Sequence, residues 1–237
     1  GSGSGSTGSG GSDEAVIADP LAPCDASLSI ADADPASAAA AAGICKPSTG
    51  KDDWGLVSAK YVLVDGSDPP KDKSFARGHG LLSGFGARIK PKEGTRMLVL
   101  SSGAARDPGD SDYESPQGYD KDYGPDDLPP GFKVDSPACP SVVSGSVYDD
   151  IGLELVMIAP KTAHSFAFDF NFYTFEWPDY VCSQFNDFFA ALLSPAPENI
   201  SDGNISFDQL GNPVSVNNVF VRVCGCSPGP PCPAPPS

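Results

Sequence analysis

The chain has 237 residues, 40% of them hydrophobic, which is enough for one large β domain or two small ones and excludes disorder throughout. Its 31 acidic residues against 15 basic ones leave a formal charge of −16, which repels phosphate backbones and anionic lipid surfaces, so nucleic acid and direct membrane binding are not expected. No run of 18 apolar residues occurs, so no transmembrane segment is expected, and the first residues carry neither a basic nor an apolar leader region.

Residues Gly1 to Ser12 are Gly, Ser and Thr only, a flexible linker with an r.m.s. span of roughly 20 Å. Residues 13–53 read as an N-terminal cap segment with one short helix: Asp34 caps it, Pro35 suits its first turn, Ala38 to Ala42 favour it and Gly43 stops it. Cys24 and Cys45 flank that helix, and a bridge between them would hold down a region poor in apolar surface.

From Trp54 the chain reads as β. Val57, Ala59, Tyr61 and Leu63 alternate with Ser58 and Lys60, Met97 to Leu100 is a short apolar run, and Leu153, Leu155 and Met157 alternate with Glu154. Phe166, Phe168, Phe170 and Phe172 alternate with Ser165, Ala167, Asp169 and Asn171, the clearest strand pattern in the chain. Its phenylalanine face demands cover. Further strands are expected at Phe188 to Leu193 and at Val219, Val221 and Val223. The fold class is therefore all-β, an antiparallel, jelly-roll-like β-sandwich over 54–226 with long loops and one N-terminal helix. Residues 227–237 form a Pro-rich, extended tail.

Residues Phe170 to Ser194, FNFYTFEWPDYVCSQFNDFFAALLS, resemble the signature of the choice-of-anchor L domain, with versions in myxobacterial secreted lipoproteins especially similar. The resemblance extends to MLVLSSGAARDPGD (Met97 to Asp110), DDWGLVSAKYVLVDG (Asp52 to Gly66) and PVSVNNVF (Pro213 to Phe220), about 170 residues in all. It implies a secreted or outer-surface β-rich domain, lipid-tethered upstream of the Gly/Ser linker in the lipoprotein versions, with no catalytic activity to carry over. Members continue past PVSVNN with further strands, whereas here CGCSPGPPC follows, so a sandwich ending at Val223 is expected to leave an edge open to a strand from another copy. The alternative is that Cys224 to Cys232 folds back and seals that edge.

The seven cysteines, Cys24, Cys45, Cys139, Cys182, Cys224, Cys226 and Cys232, sit beside Pro, Gly and Asp, which favours disulfides in an oxidising compartment. The odd number leaves at least one thiol that is free, pairs with another chain, or has lost its partner through processing. Catalytic motifs are absent: there is no GxSxG, HExxH or phosphate-binding loop, and His79 and His164 read as a loop residue and an exposed strand-edge residue. An enzyme is not expected, although paired carboxylates among the 31 acids leave a secreted hydrolase as a remote alternative.

The stretch from Asp107 to Asp127 holds eight carboxylates against Lys121 alone. Asp107, Asp110, Asp112, Glu114, Asp120 and Asp122 supply oxygens at spacings that suit calcium, the one cofactor considered, and Glu176, Asp179, Asn186 and Asp187 offer a second oxygen cluster. A solvated acidic loop and ordinary turn residues are the competing readings of these two sets. Tyr173, Phe175, Trp177 and Tyr180 bracket Pro178 and would stack on sugars or a protein partner if exposed together; buried packing is the alternative. Asn199-Ile-Ser201 and Asn204-Ile-Ser206 fit the N-glycosylation pattern, silent in a bacterial protein. The sequence points first to a secreted or cell-surface structural or adhesive module that assembles with itself into oligomers or fibres or binds a surface glycan or protein. A carbohydrate-binding module is the second reading.

Overall fold

A computed structural model describes residues 22–129, 131–208 and 211–218. The expected strand at Val219 to Val223 and the cysteines Cys224, Cys226 and Cys232 lie outside the described residues.

The N-terminal helix forms where the residues favour it. Helix α1 spans Pro35–Ala41, the Asp34 carboxylate accepts the Ala36 N–H at 3.0 Å, and Gly43, at φ +85°, ends it. Ile44 N–H returns to Ala39 O at 2.9 Å, which satisfies a carbonyl of the last turn. Cys24 and Cys45 are disulfide-bonded across this helix. Beside the bridge, the buried Asp25 carboxylate accepts the backbone N–H groups of Thr95 and Arg96 at 2.8 and 2.6 Å. Ala38 is fully buried in the same core as Tyr61, Leu63, Phe75 and Leu81, so the helix is part of the main core.

Strand β1 (Gly55–Val62) pairs antiparallel with β4 (Gly152–Ile158), and the Lys60–Glu154 pair faces across the ladder at 3.5 Å. The register slips between Leu56 and Ser58. That bulge turns Val57 to solvent, 52% exposed, and breaks the alternation expected from Val57 onward. The edge of β1 also receives the cap segment, with Leu56 N–H donating to Lys46 O at 2.8 Å and Ser48 N–H to Leu56 O at 2.7 Å.

Two elements here were not foreseen. Helix α2 (Lys73–Arg77) is capped by the Asp72 carboxylate, which accepts from Ser74 and Phe75 N–H, and it drops Phe75 into the core. At five residues it is too short to show a helical period. Strand β2 (His79–Leu82) follows at once, is buried along its whole length, and pairs antiparallel with β3 (Met97–Leu100). His79 is therefore a core strand residue, 3% exposed, and not the loop residue expected. Its neighbours explain the Gly-His-Gly spelling. A Cβ on Gly80 would lie 2.4 Å from Ala105 O, and one on Gly78 would lie 2.8 Å from Lys121 Nζ.

Beyond β4 the pattern departs most from expectation. Phe166 to Phe172 and His164 belong to no described strand, and the expected strand at Phe188 to Leu193 shortens to β5 (Phe188–Phe189), paired with β6 (Val214–Ser215), plus an isolated bridge at Leu192. Among the described residues the sheets are three antiparallel pairs, so the chain is β-rich with little helix. Outside that core, Phe132, Val134, Cys139, Val214 and Val216 are also buried, with Phe132 against Phe188 at 5.3 Å.

Candidate functional site

The Tyr173–Asp187 segment is a run of turns. Thr174 Oγ1 accepts Glu176 N–H, Tyr180 N–H returns to Glu176 O at 3.0 Å, and Ser183 N–H returns to Tyr180 O at 3.1 Å. Cys182, at φ +57°, is disulfide-bonded to the buried Cys139. Around that bridge two asparagines act as clamps. Asn217 Oδ1 accepts Cys182 N–H at 2.7 Å and its amide donates to Ser183 O at 3.1 Å. Asn186 Oδ1 accepts Asn217 N–H, and its amide donates to Val134 O and Ser144 Oγ, each at 3.0 Å. Asn217 has no signature of its own in the sequence; only its place in the PVSVNNVF segment marks it.

This fixed frame holds apolar rings outward. Phe175 is 65% exposed, Phe185 56% and Tyr180 47%, with Tyr180 and Phe185 edge to face at 6.0 Å. Tyr173 is also exposed and lies against Phe85 at 4.7 Å, whereas Trp177 is half-buried. Buried packing therefore does not describe Tyr173, Phe175 or Tyr180.

The second oxygen cluster is reduced by the same geometry. The Asn186 side chain is committed to three hydrogen bonds, and Asp179 is exposed. Glu176 and Asp187 remain as a carboxyl pair. Burial pushes Glu176 up to about 7, Asp187 pushes it the same way, and Glu176 Oε2 has no hydrogen-bond partner among the described residues. Burial also raises Asp187.

The carboxylates of the acidic stretch are spent separately. Asp110 accepts Asp107 N–H at 2.7 Å, Asp120 accepts Asp122 N–H at 2.7 Å, and Glu114 pairs with Arg77 at 3.3 Å. Asp112 is exposed, with Arg77 close enough to feel its charge. Lys121, the lone base of the stretch, is 4% exposed and donates to Ser101 O at 3.0 Å. Burial brings its amine down to about 8, while Asp149, Asp150 and Asp72 pull it back up. Burial pushes Asp150 up to about 6, and the Asp126 carboxyl beside it pushes it the same way. Asp126 also lines an open hollow of 390 Å³ with Leu128, Ser144 and Val147. Among the described residues no three His, Cys, Asp or Glu side chains gather as a metal-holding group. Asn204, in the second glycosylation pattern, is buried and its amide donates to Ser206 O at 3.1 Å.

Compared with known proteins, the chain matches no family model, no curated protein and no solved structure. No helix among the described residues is long and apolar enough to cross a membrane.

Proposed function

We propose that this chain is an extracellular structural or adhesive module that contacts its partner through the aromatic loop from Tyr173 to Phe185, and that the partner is another copy of the chain. The observation that carries this reading is the combination of exposed Phe175, Tyr180 and Phe185 with a backbone held by the Cys139–Cys182 bridge and Asn217. Large apolar rings held rigidly at a surface lose little conformational entropy when they bind, which is the economy of a docking surface. Two disulfides are compatible with an extracellular location. The resemblance to choice-of-anchor L domains supports the same setting and a jelly-roll-like sandwich as the complete architecture. Calcium is the cation proposed for the acidic chain, because a divalent ion would relieve the repulsion among its carboxylates.

Light scattering during size exclusion, with electron microscopy of native material, tests the reading. Oligomers or fibres that dissociate in Phe175→Ala and Tyr180→Ala are expected. A wild-type monomer at high concentration would overturn it.

A second reading, a carbohydrate-binding module, is favoured by the exposed phenol of Tyr180 beside the exposed Asp179, a ring and an acceptor such as sugars require. A glycan array separates the two: saturable glycan binding by a monomer supports the second.

A further inference from the structure

Bases are scarce in this chain and unevenly placed. The run from Lys73 to Lys92 holds Lys73, Arg77, Arg88, Lys90 and Lys92 and no acid, although the whole chain carries −16. The outer part of that run is a tight hairpin. Phe85 N–H donates to Ile89 O at 3.0 Å and Ile89 N–H to Phe85 O at 3.3 Å, which leaves Gly86, Ala87 and Arg88 as its tip. Arg88 and Lys90 are exposed and form no ion pair among the described residues, whereas Lys92 pairs with Asp169. Phe85, at the base of the tip, lies against Tyr173, so the basic hairpin adjoins the aromatic loop. The acidic stretch shows the reverse. Its one base, Lys121, is turned inward to Ser101 O, so Asp120, Asp122 and Asp127 stay exposed with no cation partner among the described residues.

We propose that the hairpin tip of one copy, through Arg88 and Lys90, docks head to tail on the exposed carboxylates of Asp120, Asp122 and Asp127 of a second copy. This rests on the self-association proposed above and adds which surface of the second copy receives the contact. Two copies that each carry −16 repel one another, so association has to join places where the surface differs in sign. The hairpin and the acidic stretch are such a pair. A guanidinium fork matches a carboxylate in two parallel hydrogen bonds, and the Lys90 amine adds a second cation two residues away. The rings beside the tip, Phe85 and Tyr173, bring apolar area to the same contact, while the charges fix its register and its partner. Because the two surfaces are different patches, every docked copy keeps a free hairpin at one end and a free acidic stretch at the other. Such a contact grows into a filament unless its rotation happens to close a ring.

Carbodiimide coupling of amines to carboxylates tests it, on an equal mixture of light and heavy-nitrogen full chain, in chelator so that calcium does not compete for the carboxylates. Crosslinks of mixed isotope from Lys90 to Asp120, Asp122 or Asp127 are expected. Lys90 crosslinks confined to one chain, directed to other carboxylates, or absent would each overturn the proposal. Charge reversal gives a second measurement. Arg88→Glu with Lys90→Glu, and separately Asp120→Lys with Asp127→Lys, are each expected to weaken association by about tenfold or more. Mixing the two variants is expected to restore it, since reversed hairpin then meets reversed loop and native hairpin meets native loop; a folding defect would not be rescued in this way. If both variants assemble like the wild type while Phe175→Ala does not, the hairpin contact is wrong and the aromatic-loop reading stands. A wild-type monomer overturns both, and a monomer that binds an anionic polysaccharide through Arg88 and Lys90 overturns the choice of partner.

Discussion

His79 lies flat on Tyr61, with ring centroids 4.0 Å apart and planes 18° from parallel. Phe75 closes the same pocket at 6.2 Å, and the Arg106 guanidinium donates to His79 O at 2.7 Å. A neutral imidazole suits this place. Burial pulls its pKa down to about 4, and Arg106 and Lys121 pull in the same direction.

This sets an acid limit on stability. A histidine depressed from its ordinary value near 6.5 takes its proton in the unfolded chain first, so the unfolded state binds more protons between about pH 4 and 6.5. Stability is complete above that window and falls as the pH drops through it. His79→Phe, which keeps the stack, is expected to flatten the fall by on the order of 1–2 kcal/mol after allowance for solvent screening. Urea denaturation at several pH values checks this. An unchanged acid limb in His79→Phe would show that another group sets it.

Lys121 is a second buried base, and like His79 it is pulled down by burial, its amine to about 8. Asp149 Oδ2 accepts its backbone N–H at 2.9 Å, and its amine lies 5.1 Å from the Tyr123 ring centroid. Lys121→Ala removes the buried stem, the hydrogen bond to Ser101 O and the charge that Asp149, Asp150 and Asp72 feel, and is expected to cost about 3 kcal/mol in urea denaturation. Lys121→Met, which keeps the stem packing, is expected to cost less. Equal, negligible losses in both would mean that the amine is a passenger.

The two disulfides should differ in weight. The Cys139–Cys182 bridge closes a separation of 43 residues and the Cys24–Cys45 bridge one of 21. Loop-closure entropy alone then gives ~4 and ~3 kcal/mol. Double serine variants of each pair, compared by chemical denaturation, should show that order. The Cys139 and Cys182 pair should also release the aromatic loop, read as faster proteolysis between Thr174 and Phe185.

Glu176 supplies a pH effect of opposite sign. Its carboxyl is raised to about 7, so between about pH 4.5 and 7 the folded chain holds a proton that the unfolded chain has lost, and stability declines as the pH rises through that range. In the presence of chelator, Glu176→Gln is expected to gain about 1 kcal/mol at pH 8, after allowance for screening, and nothing at pH 4. Millimolar calcium is expected to raise the melting temperature of the wild type. The same melting temperature in calcium and in chelator would remove calcium from the proposal.

Local features were legible wherever a few consecutive residues decide them. Asp34, Pro35 and Gly43 spell both ends of α1, Met97 to Leu100 has no competing use than a strand, and Cys24 and Cys45 were placed to meet across the helix. The alternation at Phe166 to Phe172 was equally plain, yet a strand exists only when another backbone pairs with it. No described residue does so.

The sequence by itself determined the β-rich composition, the short helix and the acidic, cysteine-bearing character of the chain, because propensity, capping and charge act over one to four residues. Only the tertiary structure decided that His79 is a core residue, that Lys121 is buried under Gly78, and that Asn217 fixes the loop from which Phe175 and Tyr180 project. Each of those assignments depends on a partner far along the chain: Ser101 and Asp149 for Lys121, Cys182 for Asn217, Ala105 for the glycine beside His79. Contacts between residues so distant in sequence are set by the packing of the folded chain, and no local pattern of residue types encodes them.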